Sequence, residues 1–98
     1  ENTLNEFTSC QYCETGNRRG IGFDKPLFDE EGGPSCNQAS PASYGHSGFT
    51  GTLTWADPEH DLIYVFLSNR IHPSSENILL VKENIRTRIQ EVIYKSIQ

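Results

Sequence analysis

The 98-residue sequence contains no methionine, a single tryptophan and no long hydrophobic run. Its longest unbroken apolar stretch, Leu62 to Leu67, falls far short of the ~20 residues that span a bilayer, so no membrane insertion is expected. A chain that opens on Glu1 without methionine is expected to be a fragment of something longer rather than an initial translation product, and its first residues do not read as a signal peptide. Basic charge is also scarce: eight Lys and Arg stand against 13 Asp and Glu, for a formal net charge of −5. The shortage lies in residues 1–61, where ten acids oppose Arg18, Arg19 and Lys25, whereas residues 62–98 carry five bases against three acids. A surface that tracks phosphates needs clustered Lys and Arg on one face, so no nucleic acid partner is expected. The adjacent pair Arg18–Arg19 reads as a solvated loop or strand end.

Three cysteines, Cys10, Cys13 and Cys36, leave one thiol outside any closed pairing. Cys10, Cys13, Cys36 and His46 can be written as a Cys3His zinc module. Structural zinc sites usually combine two short ligand loops, however, and Cys36 and His46 are single residues. A local Cys10–Cys13 disulfide or ordinary buried thiols are the other readings. No metal and no cofactor is expected.

What is present suffices for one core: 35% hydrophobic residues, with five Phe, four Tyr and the lone Trp. A chain of this length holds one small domain or part of one. Residues 1–19 show neither a period of two nor one of 3.6 and are expected to be mostly irregular. Gly20 to Asp24 alternates briefly before Lys25-Pro26 stops it, which predicts a short strand at 20–24. Residues 28–44, dense in Gly, Pro, Ser, Asn and acids, predict a loop long enough to be functional.

From Gly45 the pattern sharpens. Phe49, Gly51, Leu53 and Trp55 alternate with Thr50, Thr52 and Thr54, the period of a half-buried strand over 47–56. Asp57 to Asp61 is a turn, and Leu62 to Leu67 is apolar on both faces, which predicts a strand at 62–69 covered on both sides. The short link makes 49–56 and 62–69 a hairpin. Ser74 and Ser75 then offer helix caps, and Ile78, Val81, Ile85, Ile89, Val92, Ile93 and Ile97 recur at steps of three and four. Lys82, Glu83, Arg86, Gln90, Glu91 and Lys95 take the other side, so the helix is expected to cover its own sheet, with Trp55 against Ile85 or Ile89. The fold class expected is α+β: an antiparallel sheet of about three strands (20–24, 47–56, 62–69) with one C-terminal amphipathic helix.

Among the histidines, His60 and His72 read as surface residues. His46 sits in Tyr44-Gly45-His46-Ser47-Gly48-Phe49-Thr50-Gly51-Thr52, where three glycines in seven residues lead into a strand. Such a pattern brings backbone close to a ligand or, equally, accommodates a bulge beside a neighbouring ring.

The segment Gly45-His46-Ser47-Gly48-Phe49-Thr50-Gly51-Thr52, then Trp55-Ala56-Asp57-Pro58, then Leu67-Ser68-Asn69-Arg70, resembles the C-terminal part of the serine β-lactamase and penicillin-binding-protein superfamily. It is most similar to the class C and esterase branch, including the β-lactamase-like domains that Bacteroides-type bacteria fuse to glycosidases. Residues 17–24 resemble the glycine-rich strand preceding that box, and the likeness runs over roughly 17–97. The resemblance implies a larger β-lactamase-like α/β domain with a five-stranded sheet, two N-terminal strands and a second covering helix lying outside this chain. It also implies acyl transfer on amides or esters through an acyl-enzyme. His46-Ser47-Gly48 matches the histidine form of the family's Lys-Thr-Gly triplet. His46 would then shape the electrostatics around the nucleophile, and Ser47, Gly48 and Thr50 would line the substrate strand. The Phe49 N–H would be one of two oxyanion donors.

The family's nucleophile box, Ser-x-x-Lys, is missing: the residues three places before Lys25, Lys82 and Lys95 are Gly22, Leu79 and Val92. Ser35-Cys36-Asn37 imitates the family's middle box by coincidence, and nothing orients Cys36 and His46 as a nucleophile pair. The chain alone is therefore expected to be inactive. Its implied partners are the remainder of the parent chain and a small acyl substrate, and the implied location is the periplasm or cell envelope. The alternatives are a non-catalytic domain that binds a peptide along its open edge, or the zinc module.

Overall fold

A computed structural model describes residues 1–11, 14, 19–27, 33–76 and 78–97. The chain forms a three-stranded antiparallel sheet, β1 (Tyr44–Ser47), β2 (Leu53–Asp57) and β3 (Leu62–Phe66), ordered β1-β2-β3. Helix α1 (Asn2–Thr8) precedes the sheet, and α2 (Leu79–Lys82) and α3 (Ile85–Ile97) follow it. The expected α+β class, with a three-stranded antiparallel sheet and a C-terminal helix, is what the chain adopts.

The strands differ from the expectation in membership. The stretch 47–56 is not one strand, because the chain turns at Gly48–Thr52. The Gly48 N–H bonds the Thr52 carbonyl at 2.9 Å, the Gly51 N–H bonds the Gly48 carbonyl at 3.0 Å, and Gly51 takes φ +96°, a region that disfavours side chains. What precedes the turn becomes β1, which begins at Tyr44 inside the expected loop. The expected strand 20–24 is instead a tight turn: Gly22 has φ +84°, and the Gly20 N–H bonds the Phe23 carbonyl at 2.9 Å. Only isolated bridges, Arg19 with Asp24 and Asp24 with Gly45, remain of it. Residues 1–19 are not all irregular either, since α1 occupies the start; seven residues with only Thr8 buried give no readable period. The remaining loop residues 28–32 lie outside the described residues.

Packing follows the alternation. Leu53, Trp55 and Tyr64 form one buried cluster with Phe66 and Ile93 against it, and Cys36, Ala39 and Tyr94 form a second with Leu62. Trp55 is 1% exposed, as its inward position requires, but the helix residue on its cluster is Ile93 rather than Ile85 or Ile89. The reason is a rotation of the helix: α3 buries Gln90 and Tyr94, one turn apart, and turns Ile89, Val92 and Ile97 outward. Gln90, expected on the polar side, is thus in the core. The helix is also interrupted, because Asn84 at φ +51° separates α2 from α3. Likewise, β3 is covered on one face only: Ile63, Val65 and Leu67 are 74%, 54% and 80% exposed.

Candidate active site

β1 is a sheet edge, and its outer side is partly occupied. The Asp24 N–H bonds the Gly45 carbonyl at 2.7 Å, and the Gly45 N–H bonds the Asp24 carbonyl at 3.0 Å. In an antiparallel ladder successive residues bond to opposite sides, so the Ser47 backbone also faces this outer edge, past the point where Asp24 stops. Phe49 follows by a separate route. The Gly48 carbonyl accepts from Gly51 within the turn, and a trans peptide opposes its C=O and N–H, so the Phe49 N–H points away from the turn toward that same open edge. The backbone thus presents outward-facing groups of Ser47 and Phe49 in a row.

Side chains of the triplet divide between two faces. Gly45 lies opposite Trp55, and a Cβ at Gly45 would run into the Thr54 carbonyl oxygen and the Trp55 ring, so glycine is required there. Ser47 shares that helix-side face and lines a cavity of about 770 Å³ with Asp24, Gln38, Asn84, Arg88 and Glu91. His46, paired with Thr54, stands exposed on the opposite face. The Phe49 side chain is 68% exposed, with the Arg70 guanidinium 4.9 Å from its ring centroid. Gly48 and Thr50 sit in the turn. The five residues are therefore contiguous along one edge, while the His46 and Ser47 side chains are not brought together.

The sequence pattern presents Asp57-Pro58-Glu59-His60 as a plain turn and does not disclose the most elaborate polar cluster among the described residues. Asp57, 1% exposed, takes hydrogen bonds from the Ser40 N–H (2.9 Å), the Ser40 hydroxyl (2.6 Å), the Glu59 N–H (3.1 Å), His60 Nδ1 (3.0 Å) and the Tyr94 hydroxyl (2.6 Å). An ionised carboxylate only accepts, so His60 Nδ1 carries the proton in this contact. Burial alone would raise the Asp57 pKa, but the hydrogen bonds from Ser40, Tyr94 and His60 outweigh it and hold the carboxyl at about 2. Burial and the same carboxylate push the Tyr94 phenol well above its ordinary value. Ser, Asp and His are all here, yet Asp57 stands between the other two, so no base is presented to the Ser40 hydroxyl. The cluster ties loop, turn and α3 together. A legible sign of it was Asp57 closing a strand two residues before an available N–H, an Asx-type turn.

Cys36 is a free buried thiol whose pKa is raised, chiefly by burial, and its N–H bonds Gln90 Oε1 at 2.8 Å. Packed on Ala39 and Tyr94, it is a poor thiolate and forms no pair with exposed His46. Cys10 is disulfide-bonded, which removes a ligand from the Cys3His alternative; Cys13 lies outside the described residues. Among the described residues no group of His, Cys, Asp and Glu is arranged to hold a metal ion, and no helix is long and apolar enough to cross a membrane.

The "Beta-lactamase" family profile matches residues 4–83, and the chain belongs to that family, as a domain of the serine β-lactamase and penicillin-binding-protein type. It is similar to proteins described as "Putative D-alanyl-D-alanine carboxypeptidase" from Salmonella paratyphi B, Salmonella newport and Salmonella heidelberg. Each is 51% identical over 39 residues, which are 40% of this chain and 9% of the relative. The match thus spans under a tenth of those proteins' length. No solved structure matches the chain significantly. Family and relatives together make this a serine hydrolase-like domain.

Proposed function

We propose that this chain is the substrate-side sheet of a β-lactamase-like serine hydrolase, contributing to acyl transfer on an amide or ester through an acyl-enzyme. The observation that carries the reading is the outer edge of β1, which beyond the Asp24–Gly45 bridge has no backbone partner among the described residues, with the Phe49 N–H turned toward it. A carbonyl laid along this edge would meet the Phe49 N–H as one oxyanion donor, the other coming from the amide of the nucleophile. Ser47 and Gly48 form the rail on which substrate lies, Thr50 flanks it in the turn, and the exposed His46 ring supplies a hydrogen-bonding and electrostatic group on the face away from α3. The nucleophile and its lysine are supplied by further residues of a parent chain, which would also add strands to β3 and cover Ile63, Val65 and Leu67.

The substrate reading follows the relatives' description as D-alanyl-D-alanine carboxypeptidases: a peptide ending in D-alanyl-D-alanine, hydrolysed by the parent protein, for which the family resemblance supports a place in the cell envelope. The test is Phe49→Pro in the longer protein, which deletes the N–H. Acylation by a fluorophosphonate or β-lactam probe should slow ~10²–10³-fold. Unchanged acylation would remove Phe49 from the oxyanion role.

A further inference from the structure

The exposed turn carrying Phe49 is restrained from outside to an unusual degree. The Thr50 carbonyl accepts two hydrogen bonds, from the Arg70 N–H at 2.9 Å and from the Ser68 hydroxyl at 3.0 Å. Both donors lie where the chain leaves β3. The Arg70 guanidinium lies over the Phe49 ring, 4.9 Å from its centroid. Arg86 Nη1 reaches the Gly51 carbonyl at 3.4 Å, and a side chain at Gly51 would run into Leu80 and Ser68. Exposed glycine-containing turns are ordinarily among the least restrained parts of a domain, so contacts from β3's exit, α2 and α3 call for a reason.

The peptide geometry supplies one. The Thr50 carbonyl and the Gly51 N–H belong to one peptide unit, and the Gly48 carbonyl and the Phe49 N–H to another. Planar trans units transmit orientation rigidly. Ser68 and Arg70 hold the first unit by its carbonyl, its N–H bonds the Gly48 carbonyl at 3.0 Å, and that bond fixes the direction of the Phe49 N–H. We infer that Ser68 and Arg70 are positioning residues, which aim the Phe49 N–H at the open edge of β1 through this two-peptide relay. The inference rests on the oxyanion role proposed for Phe49. An oxyanion donor is effective only when its direction is fixed before the reaction, which a free glycine turn would not provide.

The test has two arms. In this chain, amide exchange by NMR is measured for Ser68→Ala, which removes the hydroxyl donor to the Thr50 carbonyl, for Arg70→Pro, which removes the N–H donor, and for the double variant. Gly51 should exchange about tenfold or more faster in the double variant, with the β2–β3 ladder unchanged, while Ser68→Thr and Arg70→Ala, which keep both donors, stay near the parent. In the longer protein carrying the catalytic serine, the same double variant should lower the maximal acylation rate about tenfold with apparent probe affinity within about twofold, and Ser68→Ala combined with Arg70→Ala, which keeps the Arg70 N–H, should recover part of the rate. Unchanged Gly51 exchange overturns the clamp. Faster exchange with an unchanged acylation rate, where Phe49→Pro still slows acylation ~10²–10³-fold, overturns the positioning role and leaves the oxyanion role standing. Acylation unchanged by Phe49→Pro overturns the oxyanion role itself and the functional half of this inference with it.

Discussion

Replacing Asp57 with asparagine keeps the shape of the most buried acid among the described residues and removes its charge. Oδ2 accepts from the Ser40 N–H, His60 Nδ1 and the Tyr94 hydroxyl, and Oδ1 from the Ser40 hydroxyl and the Glu59 N–H. The amide costs least with its NH2 in the Oδ1 place, where the Ser40 hydroxyl can turn to accept and only the Glu59 N–H is opposed. The three bonds at the other oxygen then fall from charge-assisted to neutral, a loss of ~1 kcal/mol each, and the opposed N–H adds ~1 kcal/mol or more. The expected cost is about 4 kcal/mol or more, a large share of the ~5–15 kcal/mol that holds an ordinary domain. The pH dependence carries a sign. Because the folded carboxyl is held at about 2, below the ordinary ~3.9, its contribution is present above pH ~4 and is lost as pH falls through about 2. That part amounts to ~2 kcal/mol and is absent from the asparagine variant. Urea unfolding followed by Trp55 fluorescence, at steps from pH 6 to pH 2, measures both quantities. A variant as stable as the parent at pH 6, or one whose acid dependence parallels the parent's, would refute the reasoning.

Other outcomes follow from the same packing. Trp55→Ala empties the centre of the Leu53–Tyr64 cluster and should cost ~3–5 kcal/mol, enough to unfold the chain by circular dichroism; a Trp55 emission maximum typical of full water exposure in the folded parent would contradict its 1% exposure. Gly45→Ala drives a methyl group into the Thr54 carbonyl oxygen and the Trp55 ring and should cost ~1–3 kcal/mol, with faster amide exchange at Asp24 and Gly45; a neutral substitution would mean the β1–β2 approach is looser than described. A chelator should leave the thermal transition where it is, since Cys10 is disulfide-bonded; one zinc per chain, with unfolding on its removal, would overturn this and the role proposed for His46.

The parts of the fold legible in the sequence were those set by local alternation. Leu53 and Trp55 face inward and Thr54 outward because a strand has a period of two, and Leu62 to Phe66 pairs with it across a short turn. The break at Gly48–Thr52 was not legible: Phe49-Thr50-Gly51-Thr52 continues the alternation unbroken, and only the positive φ of Gly51 turns it. The face of α3 was misread for a similar reason. Isoleucines and valines dominate the helical period, but Gln90 and Tyr94 take the buried face, where the Cys36 N–H bonds Gln90 Oε1 and the Asp57 carboxylate accepts from the Tyr94 hydroxyl, both more than 30 residues away in sequence, while Gln90 Nε2 is buried without a partner among the described residues. Of the candidate site, the residue order along the edge came from the sequence. The opposite faces of His46 and Ser47 follow from the period of two within β1, whereas the support from Ser68 and Arg70 depends on contacts that no local pattern records.

The claim that this chain is one side of a larger acyl-transfer site is tested most directly by intact-mass spectrometry after incubation with a fluorophosphonate ester and with a β-lactam. It should be run on the 98-residue chain and on the longer protein side by side. The chain alone should take no adduct at any pH where it stays folded, because its sequence offers no serine with a lysine three residues on. The longer protein should take one adduct, on a serine outside these residues. One stoichiometric adduct on a serine within this chain, abolished by His46→Ala, would contradict the proposal and identify a complete small enzyme.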